Sequence, residues 1–282
     1  THMRDPGQTQ KEDWSTGTAA ALAGGFTTVL AMPNTNPPVI DAASLDEALA
    51  AASRGARCDF GHYAAAVDGN AGQVATLAPR TVGLKMYLNA TFGDLRLTDH
   101  HAWHRHLERW PVDRPVAVHA EGATLAAVLP IAASLKRSIH VCHLSREDEI
   151  VLVRDARHRG EAVTCEVTPH HLFLDDADAA HLGGLGEVRP PLGSSADRDA
   201  LWRNLDVIDC FATDHAPHTT GEKKADPAPP GFPGLESALP LLLGAVDDGR
   251  LTVEDIVTRL HDNPRRIFGL PEQDAEVEVD PD

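Results

Sequence analysis

The 282-residue chain carries 42 Asp and Glu against 25 Lys and Arg, a formal net charge of −17. That balance excludes a broad basic face for nucleic acid or an anionic membrane, while leaving room for a few Arg and His side chains to converge on a small anion. No stretch is apolar for eighteen residues, no basic segment leads into a signal-like apolar run, and Cys58, Cys142, Cys165 and Cys210 form no C-x-x-C pair, so a membrane span, a signal peptide and a disulfide framework are not expected and a reducing, cytoplasmic setting is.

In chain order, THMRDPG opens the sequence and puts His2 and Arg4 beside a turn. Helical spacing follows over 15–25, then a β-branched run over 26–33, a helix over 44–55, and strands over 58–65, 81–88 and 114–121. A helix over 122–136, a strand over 138–145, a helix over 146–160, a strand over 162–171, a helix over 195–205 and a strand over 207–218 complete the alternation. Seven strands alternating with helices read as βα units around a parallel sheet. The Pro- and Gly-rich stretch 218–234 reads as a long loop. Two terminal helices follow it, the second capped by Thr252, and AEVEVDPD (275–282) alternates as a strand would.

The polar residues of interest stand at the C-terminal ends of these strands, the face on which (β/α)8 barrels build their sites. Asn34, Lys85, His119, His143 and Asp214 occupy such positions, and His2 would do so if a further strand preceded it. A single histidine at a strand end is more often a hydrogen-bonded structural residue than a ligand. Several strands delivering nitrogen or oxygen donors to one rim is a different matter. Imidazole and carboxylate suit Zn²⁺. Lys85, set among apolar residues, carries a charge that is costly to bury unpaired. Carboxylated to a carbamate, it would lose that charge and bridge two ions, which together would lower the pKa of a shared water. Asp214 beside them has the chemistry of a proton shuttle.

The stretches HMRDPG, KED, AMPNTNPP, GLKMYLNATF, HVCHLSREDEI, VTCEVTPHHLFL, GEVRPPLGS, VIDCFATDHAPHT, PPGFPGLE and NPRRIFGLP, in that order, resemble the dihydroorotases of the amidohydrolase superfamily. The resemblance is to the type found in the animal multifunctional pyrimidine-synthesis protein and its bacterial relatives. It implies a TIM-like (β/α)8 metallo-dependent hydrolase barrel over 1–270, with 271–282 the start of a C-terminal extension. It implies two zinc ions bridged by N6-carboxylated Lys85, with His2 and Asp214 on one and His119 and His143 on the other. Cys142 and Glu166 match ligands of a third zinc. Asp214 matches the general acid/base. Arg4, Asn34, Arg189 and His218 match the groups that hold a substrate carboxylate, Pro230 a loop residue against the ring, and Thr91 and Phe92 a mobile loop that closes over the substrate.

The implied reaction is the reversible cyclisation of N-carbamoyl-L-aspartate to L-dihydroorotate. The implied partners are this small molecule, a second copy of the chain and an aspartate transcarbamoylase, with neither nucleic acid nor membrane. Members of the family begin with a strand that ends in H-x-H, so the first barrel strand, the first His of that pair and the small flanking β-sandwich are expected to be missing here. Two alternatives stand beside this reading: a hydantoinase- or allantoinase-type cyclic amidohydrolase, and a non-catalytic dihydroorotase-like scaffold.

Overall fold

A computed structural model describes residues 1–280. Seven strands run parallel and in sequential order: β1 (Thr28–Ala31), β2 (Asp59–Ala65), β3 (Gly83–Tyr87), β4 (Val116–His119), β5 (Ile139–Val141), β6 (Val163–Val167) and β7 (Cys210–Phe211). Each lies inside a run expected from the sequence. The helices expected over 15–25, 44–55, 122–136, 146–160 and 195–205 form as Trp14–Ala23, Ala42–Gly55, Gly122–Ser134, Glu147–His158 and Ser195–Arg203. The helix His100–Arg109 between β3 and β4 was not anticipated. Six of its ten residues are His or Arg, so its apolar face is narrow and rests mainly on buried Ala102, Trp103 and Leu107.

Alternation along the strands decides what faces where. On β4, Val116 and Val118 join the large apolar layer beneath the helices, while Ala117 packs with Tyr63, Cys142 and Phe268 in a smaller cluster. Lys85 and Tyr87 of β3 and His119 of β4 line a common cavity. Among the described residues β1 and β7 are not paired strand to strand. The first residues connect their upper ends: the Thr1 ammonium donates to the Leu30 carbonyl at 3.0 Å, Met32 N–H donates to the Thr1 carbonyl, and His2 N–H donates to the His215 carbonyl at 2.7 Å.

The 218–234 stretch is irregular apart from one turn of helix, Thr220–Lys223. Thr252 caps its helix as expected, its hydroxyl accepting from Asp255 N–H. The alternating run at the C-terminus is a correction: residues 275–280 form no strand, and its last two positions lie outside the described residues. Alternation without a neighbouring edge to pair with leaves the backbone bonds of a strand unmade. No helix among the described residues is long and apolar enough to cross a membrane.

His62, on the helix side of β2, is buried against the edge of Trp14 at 5.3 Å, and neither ring nitrogen has a hydrogen-bond partner. Burial pulls its pKa from 6.5 down to about 4. Between those values the unfolded chain binds a proton that the folded chain refuses, so stability falls as pH drops from 6.5 towards 4. His62→Leu removes the unpaired polar atoms. We expect a gain of about 1 kcal/mol at neutral pH and a shallower loss of stability on acidification, read by urea unfolding at pH 7 and pH 5. An unchanged pH slope would contradict the assignment.

Candidate metal centre and anion cavity

Backbone strain marks the rim. Among the described residues four non-glycine positions have left-handed φ, and three of them are Arg4 (56°), His143 (35°) and Asp214 (39°). Such conformations cost of order 1–3 kcal/mol each and persist where the surroundings over-determine them. Part of the surroundings is Glu149, whose buried carboxylate accepts from Ser145, Arg146 and Gly122 N–H groups and so fixes the loops that follow β5 and β4.

Two pairs of donors meet at this rim. In the first, His2 Nε2 faces Asp214 Oδ1 at 3.2 Å, while His2 Nδ1 lies 2.6 Å from Asn34 Oδ1. An amide oxygen only accepts, so Nδ1 carries the proton and a neutral His2 turns its Nε2 lone pair towards a carboxylate. Burial favours that neutral form, lowering the His2 pKa to about 4. Burial alone would raise the Asp214 carboxyl, but the imidazoles around it, His2, His143 and His170, more than offset that and keep Asp214 ionised.

The second pair is His119 Nδ1 and His143 Nε2, 3.0 Å apart. His119 Nε2 is 3.0 Å from Glu121 Oε1, which fixes its proton there and leaves the Nδ1 lone pair facing His143. His143 Nδ1 is buried without a partner. Burial is the first cause lowering both pKa values, with each affected by the charge of nearby Lys85.

His2 turns a lone pair to the Asp214 carboxylate and His119 Nδ1 offers one to His143, and a cation seated within each pair would accept from both members. Two ligands about 2.0–2.1 Å from a tetrahedral zinc sit roughly 3.3 Å apart, close to both separations, so the donor chemistry fits the ion that the sequence implied. Each pair supplies two protein donors. No group of three or more His, Cys, Asp or Glu arranged to hold a metal is found among the described residues. Lys85, expected to bridge the two ions, lines the same cavity. Its side chain is buried, and its Nζ donates to Cys142 Sγ at 2.7 Å.

Cys142 and Glu166, expected as ligands of a third zinc, line the same cavity, Cys142 against Lys85 and Glu166 against His140. Burial pushes the Cys142 thiol up to about 12, and Glu166 Oε2 lies 3.0 Å from His140 Nε2.

Beside the donor pairs lies a second, smaller cavity. Its walls are His2, Arg4, Asn34, Thr91, Phe92, Val188, Arg189, Asp214, Ala216, Pro230 and Gly231. Nearly every residue expected to hold substrate is therefore in one place. Asn34 gives its oxygen to His2, which leaves its amide N–H groups for the cavity. Arg4 donates through Nε to the Pro217 carbonyl and is 3 % exposed. Arg189 is differently engaged, with Nη1 on Glu187 Oε2 at 3.0 Å and on the Val188 carbonyl. His218 is outside the lining but lies 3.1 Å from Arg4 Nη2 and from the Pro230 carbonyl. Phe92 packs across these groups, 5.1 Å from the Arg4 guanidinium and 4.9 Å from the His218 ring.

Sequence reasoning missed Lys11, Glu121, Tyr87 and Lys223. Lys11 lay inside the quoted KED string, and Tyr87 two residues beyond Lys85 on the same strand face; the spacing was the available signal. Tyr87 lines the larger cavity with its hydroxyl buried and unpartnered. Nothing local distinguishes Lys223, because its partners are carbonyls brought in by the fold.

The chain can now be set beside known proteins. The sequence model of the Dihydro-orotase-like family matches residues 1–90. The dihydroorotase of Pyrococcus furiosus is 35% identical over 100% of this chain and 68% of its own length. The chain belongs to the dihydroorotase family. The multifunctional protein CAD of Squalus acanthias is 53% identical over 99% of this chain, which spans only 12% of that relative. Among solved structures, the inactive dihydroorotase-like domain of a Chaetomium thermophilum CAD-like multifunctional protein superposes with a TM-score of 0.78 at 32% identity, covering 92% of this chain and 74% of that one. The L-hydantoinase of Arthrobacter aurescens superposes with a TM-score of 0.90 at 23% identity, over 95% of this chain and 69% of that one. That likeness concerns the fold, the TIM-like amidohydrolase barrel of the dihydroorotase family and its neighbours.

Lys223 ties the 218–234 stretch together and to Glu187. Its buried Nζ donates to the carbonyls of Glu187, Pro229 and Gly231 at 2.8, 3.0 and 3.2 Å, using all three protons of the ammonium. Lys223→Met leaves those carbonyls short of a donor. We expect a loss of about 1–3 kcal/mol and faster proteolysis between 224 and 231, followed by thermal unfolding and limited digestion. Parent-like behaviour in both would show that the three bonds contribute nothing.

Proposed function

We propose that this chain is a zinc-dependent dihydroorotase, interconverting N-carbamoyl-L-aspartate and L-dihydroorotate in pyrimidine synthesis. The observation that carries the reading is the adjacency of the two sets of groups. His2 and Asp214 belong to a donor pair and also wall the cavity that Arg4, Asn34 and Arg189 line. A ring amide held there through a neighbouring carboxylate would present its reacting carbonyl to the metal side.

The residues divide the work. Zinc ions held by the two donor pairs, with Lys85 as a bridging carbamate, would lower the pKa of a water and polarise the ring carbonyl. Arg4 and His218 bind the substrate carboxylate with charge-assisted bonds, and Asn34 adds an amide donor. Arg189 turns from Glu187 to join them. Thr91 and Phe92 cover the site and exclude water. In hydrolysis, water oxygen bonds to the ring carbonyl carbon, the carbon–nitrogen bond breaks, and Asp214 passes the water's proton to the leaving nitrogen. In cyclisation Asp214 removes the proton from the carbamoyl nitrogen as that bond forms and water leaves.

Cys142 and Glu166 are the groups available to a third ion. Homodimerisation, association with an aspartate transcarbamoylase and a cytoplasmic setting belong to the same reading, supported by similarity to a multifunctional relative.

The cationic cavity favours dihydroorotate over hydantoin or allantoin, whose rings bear no carboxylate for Arg4 to hold. In zinc and bicarbonate the chain is expected to hydrolyse L-dihydroorotate faster than either. Asp214→Ala should reduce kcat by about 10²–10⁴-fold, and Arg4→Gln should raise KM about tenfold or more. Absence of turnover under these conditions would overturn the catalytic reading and favour a scaffold role; better turnover of allantoin or hydantoin would favour the other amidohydrolases.

A further inference from the structure

We propose that Lys11 is a positioning residue: its ammonium, donating to Nδ1 of His218, fixes that imidazole as the Nε2–H tautomer and so makes His218 a hydrogen-bond donor beside Arg4. The tautomer stands on geometry alone; its use in holding substrate rests on the dihydroorotase reading.

Lys11 Nζ lies 3.3 Å from His218 Nδ1. An ammonium has donors and no acceptor, so Nδ1 must offer its lone pair. A neutral imidazole has one proton, which is then on Nε2. The other side of the ring agrees: Nε2 is 3.1 Å from the Pro230 carbonyl, which only accepts. Burial, with Arg4 and Lys11 nearby, lowers the His218 pKa to about 3, so the ring is neutral at pH 7. Two independent contacts thus select the same tautomer.

The consequence appears at Arg4. Its Nη2 lies 3.1 Å from His218 Nε2. With Nε2 protonated these are two donors side by side, neither of which can satisfy the other. Arg4 Nη2 therefore keeps its N–H for a substrate carboxylate, and the Nε2 proton, bonded to the Pro230 carbonyl, can be shared with the same anion. In the opposite tautomer Nε2 would accept from Arg4, closing the fork, and would turn a lone pair on the substrate anion.

Lys11 itself is held from behind. It makes a 3.0 Å ion pair with Glu222 and lies 4.5 Å from the Phe92 ring centroid. Its side chain is 5% exposed, and it does not line the smaller cavity, so it acts through His218 and not on the substrate directly.

The test is long-range ¹H–¹⁵N NMR of the histidine rings in the full chain, with His218→Asn used only to assign the signal. The parent should show His218 protonated at Nε2. Lys11→Met should shift the ring to a tautomer mixture, Lys11→Arg should retain Nε2–H, and Glu222→Gln, which leaves the Lys11 ammonium in place, should not change it. In turnover of L-dihydroorotate, Lys11→Met should raise KM about tenfold with kcat within about twofold of the parent, and Lys11→Arg should recover most of the loss. A parent ring protonated at Nδ1, or a Lys11→Met ring still wholly Nε2–H, overturns the proposal. Should Lys11→Met fail to fold, the parent spectrum decides alone. An inactive parent with the expected tautomer would count against the dihydroorotase reading and leave the tautomer assignment standing.

Discussion

Three main-chain bonds made by Thr1 and His2 are the constraint on which the site depends. They tie the rim ends of β1 and β7 together and put the His2 imidazole 3.2 Å from Asp214, more than two hundred residues away in sequence. Parallel strands do the rest. Because every strand ends on the same side, residues at strand ends meet without long-range recognition of one another. Asn34, His119, His143 and Asp214 follow or end four different strands, and Lys85 lies within a fifth.

What makes these residues more than neighbours is the direction of their protons. Asn34 and Glu121, neither of them a donor of the pairs, set the tautomers of His2 and His119. Each then points a lone pair at its partner across about 3 Å, and a cation seated within a pair would accept from both members. At the anion cavity the roles are reversed, and Arg4 and His218 both present N–H groups, that of His218 bonded to the Pro230 carbonyl. An overall negative chain, at −17, therefore carries a local cationic pocket built by burial and tautomer choice.

Much of this was legible in the sequence. All seven strands fell within runs of β-branched and apolar residues, and the donors fell at their ends, because hydrophobic periodicity and strand termini are local properties. The helix His100–Arg109 was not legible, since tertiary packing of Trp103 and Leu107 compensates for a mostly polar, His-rich surface. The alternating C-terminal run misled because alternation describes a strand's faces and says nothing of its neighbours. At the site, residue types signalled the donors, but the groups that orient them did not stand out. Glu121, Lys11 and Lys223 act through hydrogen bonds to partners from other elements, and only the fold reveals those. Cys142 and Glu166 lie in the expected cavity, against Lys85 and His140.

The proposed function requires the two donor pairs and Lys85 to form one binuclear zinc centre. Equilibrium zinc titration against a competing chelator, with and without bicarbonate, tests it most directly. Two tight equivalents are expected in bicarbonate, with a marked weakening of binding without it or in Lys85→Ala, and loss of one equivalent in His143→Ala. Binding that is weak throughout, or tight but indifferent to both bicarbonate and Lys85, would contradict it.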